Sequence, residues 1–315
     1  MTVQAATAPT GFSDDDASAQ GAGHPVELSI ARRLKDLLAL TKPRLSSLVL
    51  VTAGGGVWLA DRDVSATVVL GAMVGTTMVV GGANALNCYL ERDVDLQMTR
   101  TQSRPLPSGR MRPNTALAFG AALSLVAVPL LTLTTTPLAG LLAAIALLLY
   151  VLVYTPMKRT SSLSTLVGAI PGALPPLIGW TAATGRLDMG GLLLFLLLFL
   201  WQIPHSLAIG IYRASDYQNA GLVVFPNEFG LAATRRQALL YTIPLVATPL
   251  FLVHIGVAGI VTLTVGGALG MWFLWLAFDG FRRDLGARWA RRFFLASLVY
   301  LTALFGALSV DQFLT

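Results

Sequence analysis

Long apolar runs, separated by short polar or Pro/Gly-containing joints, dominate the chain. A bilayer core about 30 Å thick needs roughly 20 apolar residues in an α-helix. Runs of that kind predict nine membrane spans, near 45–60, 67–90, 115–134, 137–156, 163–183, 190–212, 238–256, 258–278 and 292–310. Only Thr134-Thr135-Thr136-Pro137 separates the third from the fourth, and the apolar stretch 238–278, too long for one span, divides at Gly256–Gly259. The expected fold class is therefore all-α, a polytopic membrane protein of nine transmembrane helices. Before the spans, residues 1–25 hold Ala, Thr, Ser, Gly and the run Asp14-Asp15-Asp16. They lack the basic and apolar regions of a secretory signal. This stretch reads as a disordered tail ahead of a single membrane domain, 26–315.

Composition agrees: 55% of the residues are hydrophobic and only 12% charged, with 30 Gly besides. Soluble chains carry about 25% charged residues, so a water-soluble domain is excluded. One Cys and three His exclude a disulfide framework and a Cys/His zinc site. With nine spans, the N-terminus and the loops after even-numbered spans share one side. That side holds all of the 22 Lys and Arg except Arg62 and Arg186. Cytoplasmic loops are the ones enriched in Lys and Arg, so the N-terminus is expected in the cytoplasm. The net charge of +6 is then a topological signal that calls for no nucleic-acid partner. Arg282, Arg283, Arg288, Arg291 and Arg292 read the same way, setting topology and contacting anionic lipid.

Carboxylates stand out on this basic face. Asn87, Glu91 and Asp95 are spaced i, i+4, i+8, within about 80° of helical arc. Three oxygen donors on one stripe suit a hard cation such as Mg²⁺, while Asp93 points away and reads as surface. Arg100 and Arg104 follow directly, and arginines beside a carboxylate–metal cluster would bind diphosphate bidentately. The plain alternative is that Glu91 and Asp95 only neutralise Arg100 and Arg104. A second polar stripe, His205, Tyr212 and Asp216 with Arg213 beside it, runs out of the sixth span, and Tyr154, Lys158 and Arg159 end the fourth. Polar groups in membrane helices usually face a cavity or a pathway.

A transporter would also fit many apolar helices with polar interruptions. Ionisable groups gathered at one face, without an inverted repeat, favour an enzyme instead. His254 and Cys88 read as structural. The fifth span carries Gly168, Pro171, Gly172, Pro175, Pro176 and Gly179, which serve either a cavity-opening bend or close helix packing.

The string from Asn87 through Glu91 and Asp95 to Arg100-Thr101 and Arg104-Pro105-Leu106-Pro107 resembles the first aspartate-rich motif of the UbiA superfamily of intramembrane prenyltransferases. Tyr154 and Lys158 are similar to its motif after the fourth helix. Three strings carry a finer likeness to the heme O synthase (protoheme IX farnesyltransferase) branch: Leu40-Thr41-Lys42-Pro43-Arg44, Ala83 through Asp93, and Trp201-Gln202-Ile203-Pro204-His205 through Asp216-Tyr217. The superfamily often has Asp where His205 stands. The resemblance covers roughly residues 30–310.

It implies a UbiA-type nine-helix bundle in the cell membrane, with its active-site loops cytoplasmic. It also implies farnesyl diphosphate and protoheme as substrates, heme O as product and Mg²⁺ as cofactor, heme being a substrate rather than a resident group. The metal would be held by Asn87, Glu91, Asp95 and Asp216. The diphosphate would be held by Arg100, Arg104, Tyr154, Lys158, Arg159 and Arg213. His205 joins the metal-binding four as the catalytic set and would meet heme, either as an axial ligand or as a base toward water. Association with oxidase-assembly or heme A synthase proteins is a further expectation. A UbiA-type enzyme with another aromatic or tetrapyrrole acceptor is the nearest alternative, and Pro204-His205 argues against it.

Overall fold

A computed structural model describes residues 30–60, 63–283 and 285–314. The expected tail, 1–25, and Arg62 lie outside them. The described residues form helices and no strand: α1 (Ile30–Leu40), α2 (Pro43–Ala60), α3 (Ala66–Leu90), α4 (Arg92–Gln97), α5 (Pro113–Thr134) and α6 (Pro137–Leu148). α6 continues through a π-helical turn (Leu149–Tyr154) into α7 (Thr155–Met157). Then follow α8 (Ser164–Thr184), α9 (Met189–Tyr212), α10 (Ala214–Asn219), α11 (Phe225–His254), α12 (Ile260–Arg282) and α13 (Ala287–Leu314).

Eight of the described helices are long and apolar enough to cross a membrane: α3, α5, the α6–α7 run, α8, α9, α11, α12 and α13. The ninth expected span, 45–60, is the 18-residue helix α2, which is outside that set. Arg44, Ser46 and Ser47 in its first turns lower its apolarity. Bounds otherwise follow the apolar pattern closely, except that α11 begins thirteen residues before the expected 238. Pro226 and Glu228 suit a helix start, and Gly230 (φ 80°) breaks the run just beyond them. Arg235, expected in a loop, is thus a buried residue of α11 whose Nη1 donates to the Leu285 carbonyl at 2.6 Å.

The ends of the spans are capped by local chemistry. Ser65 accepts from Val68 N–H, Thr136 from Ala139 N–H, and Asp188 from Gly190 and Gly191 N–H. Each satisfies a donor that the first helical turn leaves free. α12 has no such residue of its own. Instead Asp311 of α13 accepts from the N–H groups of Gly259, Val261 and Thr262 at 2.8, 3.0 and 2.8 Å. Asp311→Ala strands these donors in a buried place, a loss of about 1–3 kcal/mol. The expected result is a lower melting temperature in detergent; an unchanged one would show that the cap does not stabilise the bundle.

Two packed groups build the interior. One joins α9 with α11, α12 and α13, and the other joins α3, α5, α6 and α8. α2 and α8 meet along the seam, where Gly56 faces the carbonyl of Pro176 and Gly179 faces that of Ala53. A Cβ at either glycine would overlap backbone, so small residues set this approach, as is usual where lipid supplies no hydrophobic drive. Large apolar side chains such as Leu70, Leu125, Leu133 and Trp275 are exposed outward, a surface suited to lipid.

Candidate active site at one end of the bundle

The groups that carry chemistry meet at one end of the helices. Two membrane helices arrive there in the same way: each breaks at a single residue and continues as a six-residue helix. α3 gives way to α4 at Glu91 (φ −99°, ψ 7°), and α9 to α10 at Arg213 (φ −115°, ψ 16°). The helical hydrogen bonds persist across the first break, from Glu91 N–H to the Asn87 carbonyl at 2.9 Å and from Asp95 N–H to the Glu91 carbonyl at 2.7 Å. The four-residue spacing is therefore kept. Asn87, Glu91 and Asp95 are buried, at 1%, 8% and 2% exposure, while the Asp93 side chain is exposed.

Each member of the stripe meets a cation. Lys42 Nζ donates to Asn87 Oδ1 at 2.7 Å, Lys158 Nζ pairs with Glu91 Oε1, and Arg104 Nη1 donates to Asp95 Oδ2 at 2.7 Å. Asn87 Nδ2 in turn donates to Thr155 Oγ1 at 3.1 Å. The plain alternative from the sequence pairs Glu91 and Asp95 with Arg100 and Arg104. Arg104 is such a partner, but Glu91 takes Lys158, and Arg100 instead lies over the Tyr217 ring at 5.8 Å. Burial pushes the Lys42 ammonium below the ordinary lysine range, and Arg104 and Lys158 add to that shift. Burial also acts against the charge on Lys158, but Tyr154 and Glu91 outweigh it and the net shift is upward.

Lys42 carries positive φ (52°), unlike any other non-glycine described residue. A side-chain-bearing residue in that region costs about 1–2 kcal/mol, and such strain collects at functional positions. Nothing in the Lys-Pro dipeptide reveals it, and the sequence reading gave Lys42 no role.

Among the described residues, no three of Asp, Glu, His and Cys converge to hold an ion unaided. Asp216 lies beyond the break at Arg213, in α10, and accepts from Arg213 Nη1 at 3.2 Å. The donor set of Asn87, Glu91 and Asp95 nonetheless fits Mg²⁺, which characteristically takes one or two carboxylates and completes its shell with phosphate oxygens and water.

Beside this stripe is a cavity of about 280 Å³ whose polar wall includes Tyr154, Lys158, Gln202, Ser206 and Tyr217. The π-helical turn positions the first two. Thr155 uses both its N–H and its hydroxyl on the Tyr150 carbonyl, and the wider turn that results leads to Tyr154 and Lys158. These share a face as expected, with Lys158 Nζ 4.6 Å from the Tyr154 ring centre. The segment after α10 forms one wall of the cavity: Val223 N–H donates to the Lys158 carbonyl at 2.9 Å, and Val94 and Met98 of the α4 region pack on Ala220, Leu222 and Tyr217. Of the other candidates for an anion, Arg159 Nη2 donates to the Leu90 carbonyl at 3.2 Å. Arg213 is exposed against Asp216 and the Tyr212 ring.

His205 is turned toward α13 while Gln202 and Ser206 face the cavity. Its ring stacks on Trp201 at 4.4 Å and lies 4.8 Å from Phe294, which Tyr212 also meets, at 5.7 Å. His205 and Tyr212 therefore share a face as predicted, and Asp216 follows in α10 beyond Arg213, across which Tyr217 N–H still donates to the Arg213 carbonyl at 3.1 Å. His205 Nδ1 is 2.8 Å from Ser297 Oγ, and that hydroxyl donates to the Phe294 carbonyl at 2.6 Å. A hydroxyl has one proton to give, so Nδ1–H is the donor to Ser297 and Nε2 keeps its lone pair. Ser297, distant in sequence, carried no signal that could have found it.

The sequence model of the UbiA prenyltransferase family matches residues 48–298. A protoheme IX farnesyltransferase of Anaeromyxobacter dehalogenans (strain 2CP-C) is 51% identical over 279 residues, 89% of this chain and 94% of that relative. Among solved structures, a digeranylgeranylglyceryl phosphate synthase superposes with TM-score 0.78 at 18% identity, covering 90% of this chain and 99% of that one. A UbiA homologue from Archaeoglobus fulgidus bound to DMAPP and Mg²⁺ gives TM-score 0.66 at 15% identity, covering 87% and 99%. At such identities the superpositions speak to the fold, an intramembrane helical bundle. The sequence matches carry the conclusion further, because they run through the helices that hold the buried carboxylates and their cations: the chain belongs to the UbiA prenyltransferase family.

Proposed function

We propose that this prenyltransferase moves a farnesyl group from farnesyl diphosphate to a vinyl group of protoheme, with addition of water, to give heme O. The observation that carries the reading is the buried Asn87–Glu91–Asp95 stripe, paired with Lys42, Lys158 and Arg104 beside a polar cavity. The relative named protoheme IX farnesyltransferase, identical at half the aligned positions, supports the choice of substrates.

The chemistry needs the bond from farnesyl C1 to the diphosphate oxygen to break, with its electron pair leaving on the diphosphate. Lys158 and Arg104, and Arg100 from beside Tyr217, stabilise that departing charge, an electrostatic contribution that grows in a site shielded from water. Asn87, Glu91 and Asp95 would hold Mg²⁺, with Asp216 brought in from α10; the metal supplies Lewis-acid neutralisation of the diphosphate. Tyr154 and Tyr217 line the cavity where the allylic cation develops, and residues 222–226 add a largely apolar wall to it. The vinyl π-electrons then form the new carbon–carbon bond. Water adds to the carbon left electron-poor and gives up a proton, for which the Nε2 lone pair of His205 is the available base; the same atom is also the one free to ligate heme iron.

On this reading the end of the bundle bearing α1, α4, α7 and α10 faces the cytoplasm, the protein resides in the cell membrane, and its product supplies a terminal oxidase, with oxidase-assembly proteins as neighbours. The concentration of Lys and Arg in these segments supports the orientation. The test is turnover by purified protein in detergent with protoheme, farnesyl diphosphate and Mg²⁺. The expected product is heavier than protoheme by one farnesyl group plus one hydroxyl group, and its formation stops when EDTA is added and resumes with excess Mg²⁺. Intact protoheme alongside folded protein would point to another acceptor.

A further inference from the structure

Ile30, Leu34 and Leu38 of α1 are 78%, 60% and 59% exposed. Spaced i, i+4, i+8, they form one apolar stripe down the helix. Arg33 and Lys35, also exposed, stand one residue either side of Leu34, so each is about 100° round the helix from it, on opposite flanks of the stripe. Another face of α1 holds it to the bundle. Asp36 and Leu40 are buried, and Leu37 and Leu40 pack with Ala85 and Cys88 of α3, with Leu106, and with Ala116 and Phe119 of α5.

These contacts fix the depth of α1. Cys88 is two residues from the end of the α3 span, and Ala116 is three from the start of the α5 span. The helix therefore lies level with the ends of two membrane spans, at the edge of the bilayer. Just past the joint at Lys42, Leu45 is exposed as well and continues the outward apolar surface. An apolar stripe with cations on its flanks is the form of a helix that lies in the interface, its apolar face among acyl chains and its basic residues at the headgroups. Lipid is the neighbour that this depth supplies, and the two cations favour headgroups that carry negative charge.

We propose that α1 is seated on the leaflet at the charged end of the bundle, and that Arg33 and Lys35 take the phosphates of anionic phospholipids there. The seat bears on the candidate active site, because α1 braces the loop that carries Arg104. Asp36 Oδ1 accepts from Nε and Nη2 of Arg110, each at 3.4 Å. Arg110 Nη1 donates to Ser108 Oγ at 2.8 Å, and that hydroxyl donates to the Arg104 carbonyl at 2.6 Å. Arg104 in turn reaches Asp95. A leaflet that holds α1 thus also holds the loop of an arginine in the site.

The experiment places a nitroxide label at position 34 or 35 of the full-length protein, as Leu34→Cys or Lys35→Cys, each with Cys88→Ala. The protein is held in nanodiscs of phosphatidylcholine alone or of an equimolar mixture with phosphatidylglycerol. Collisions with oxygen, which concentrates among acyl chains, are compared with collisions with a neutral nickel chelate, which stays in water. The label at 34 is expected to meet oxygen and be shielded from nickel, and the label at 35 to meet nickel. Each basic side chain near an anionic surface adds about a fivefold preference for it. Phosphatidylglycerol should therefore raise the oxygen-to-nickel ratio at 34, and Arg33→Gln with Lys35→Gln should abolish that rise. All these positions are exposed, so the substitutions leave the packing of α1 intact. Equal nickel access at 34 and 35 would place the stripe in water and overturn the inference. Exclusion of both reagents from 34 would show protein over the stripe and overturn it too. A rise that survives in the glutamine variant would overturn the role of Arg33 and Lys35. None of these readouts requires turnover, so the result stands apart from the prenyl-transfer reading.

Discussion

Replacing Asp95 with alanine is expected to lower turnover by about 10²–10³, the loss seen when one preorganised charge-stabilising group is removed from an active site. Asp95 is buried at 2% exposure and accepts a hydrogen bond from Arg104 at 2.7 Å. The substitution removes a metal-binding oxygen pair and also frees the arginine that the carboxylate orients. Folding should survive, because the Arg104 side chain is 29% exposed and its charge can turn to water. Asp95→Asn separates the two roles: it keeps a hydrogen-bond acceptor for Arg104 but surrenders the negative charge. If the pair is only an ion pair that shapes the loop, the asparagine variant should recover most activity. If the carboxylate serves the metal, both variants stay impaired with unchanged melting temperature. Wild-type kcat in Asp95→Asn would end the metal-site argument.

His205→Ala is expected to lower heme O formation by about 10²–10⁴, the usual range for a positioned proton-transfer group, while farnesyl diphosphate still binds. The separation follows from geometry: His205 faces Ser297 and Phe294 of α13, whereas the groups suited to the diphosphate approach from α3, α4 and α7. Ser297→Ala tests the tautomer argument. It leaves the imidazole in place but removes the acceptor that holds its proton on Nδ1, so a smaller loss than in His205→Ala is expected, with the same sparing of farnesyl diphosphate affinity. Affinities for the two substrates can be read by heme absorbance and by isothermal titration with the diphosphate. Equal loss of both in His205→Ala would make the residue a packing element between Trp201 and Phe294.

Much of the bundle was legible in the chain because a membrane span is a local property. Twenty apolar residues between polar joints are enough to specify one, and spans such as 137–156 and 190–212 emerge almost where expected, as α6–α7 and α9. The start of α11 was not legible: Phe225-Pro226-Asn227-Glu228 reads as loop until Pro226 packs under Gly210 and Glu228 meets Ser162. The stripe of Asn87, Glu91 and Asp95 could be read from helical spacing because hydrogen bonding survives the break at Glu91. The stripe of His205 and Tyr212 is legible for the same reason, and Asp216 follows it in α10, with helical hydrogen bonds running through Arg213 as they do through Glu91.

Sequence by itself determined the solvent, the all-helical class, the order of the helices, the separation of basic from nearly uncharged joints, and which oxygen-bearing residues share a turn of helix. Each of these is set by composition or by spacing within a few residues. Tertiary structure decided the partners. Lys158 rather than Arg100 meets Glu91, Lys42 reaches Asn87, and Ser297 fixes the proton on His205. All of these join residues from different helices, and a contact between helices depends on how their surfaces fit, which a single helix cannot specify.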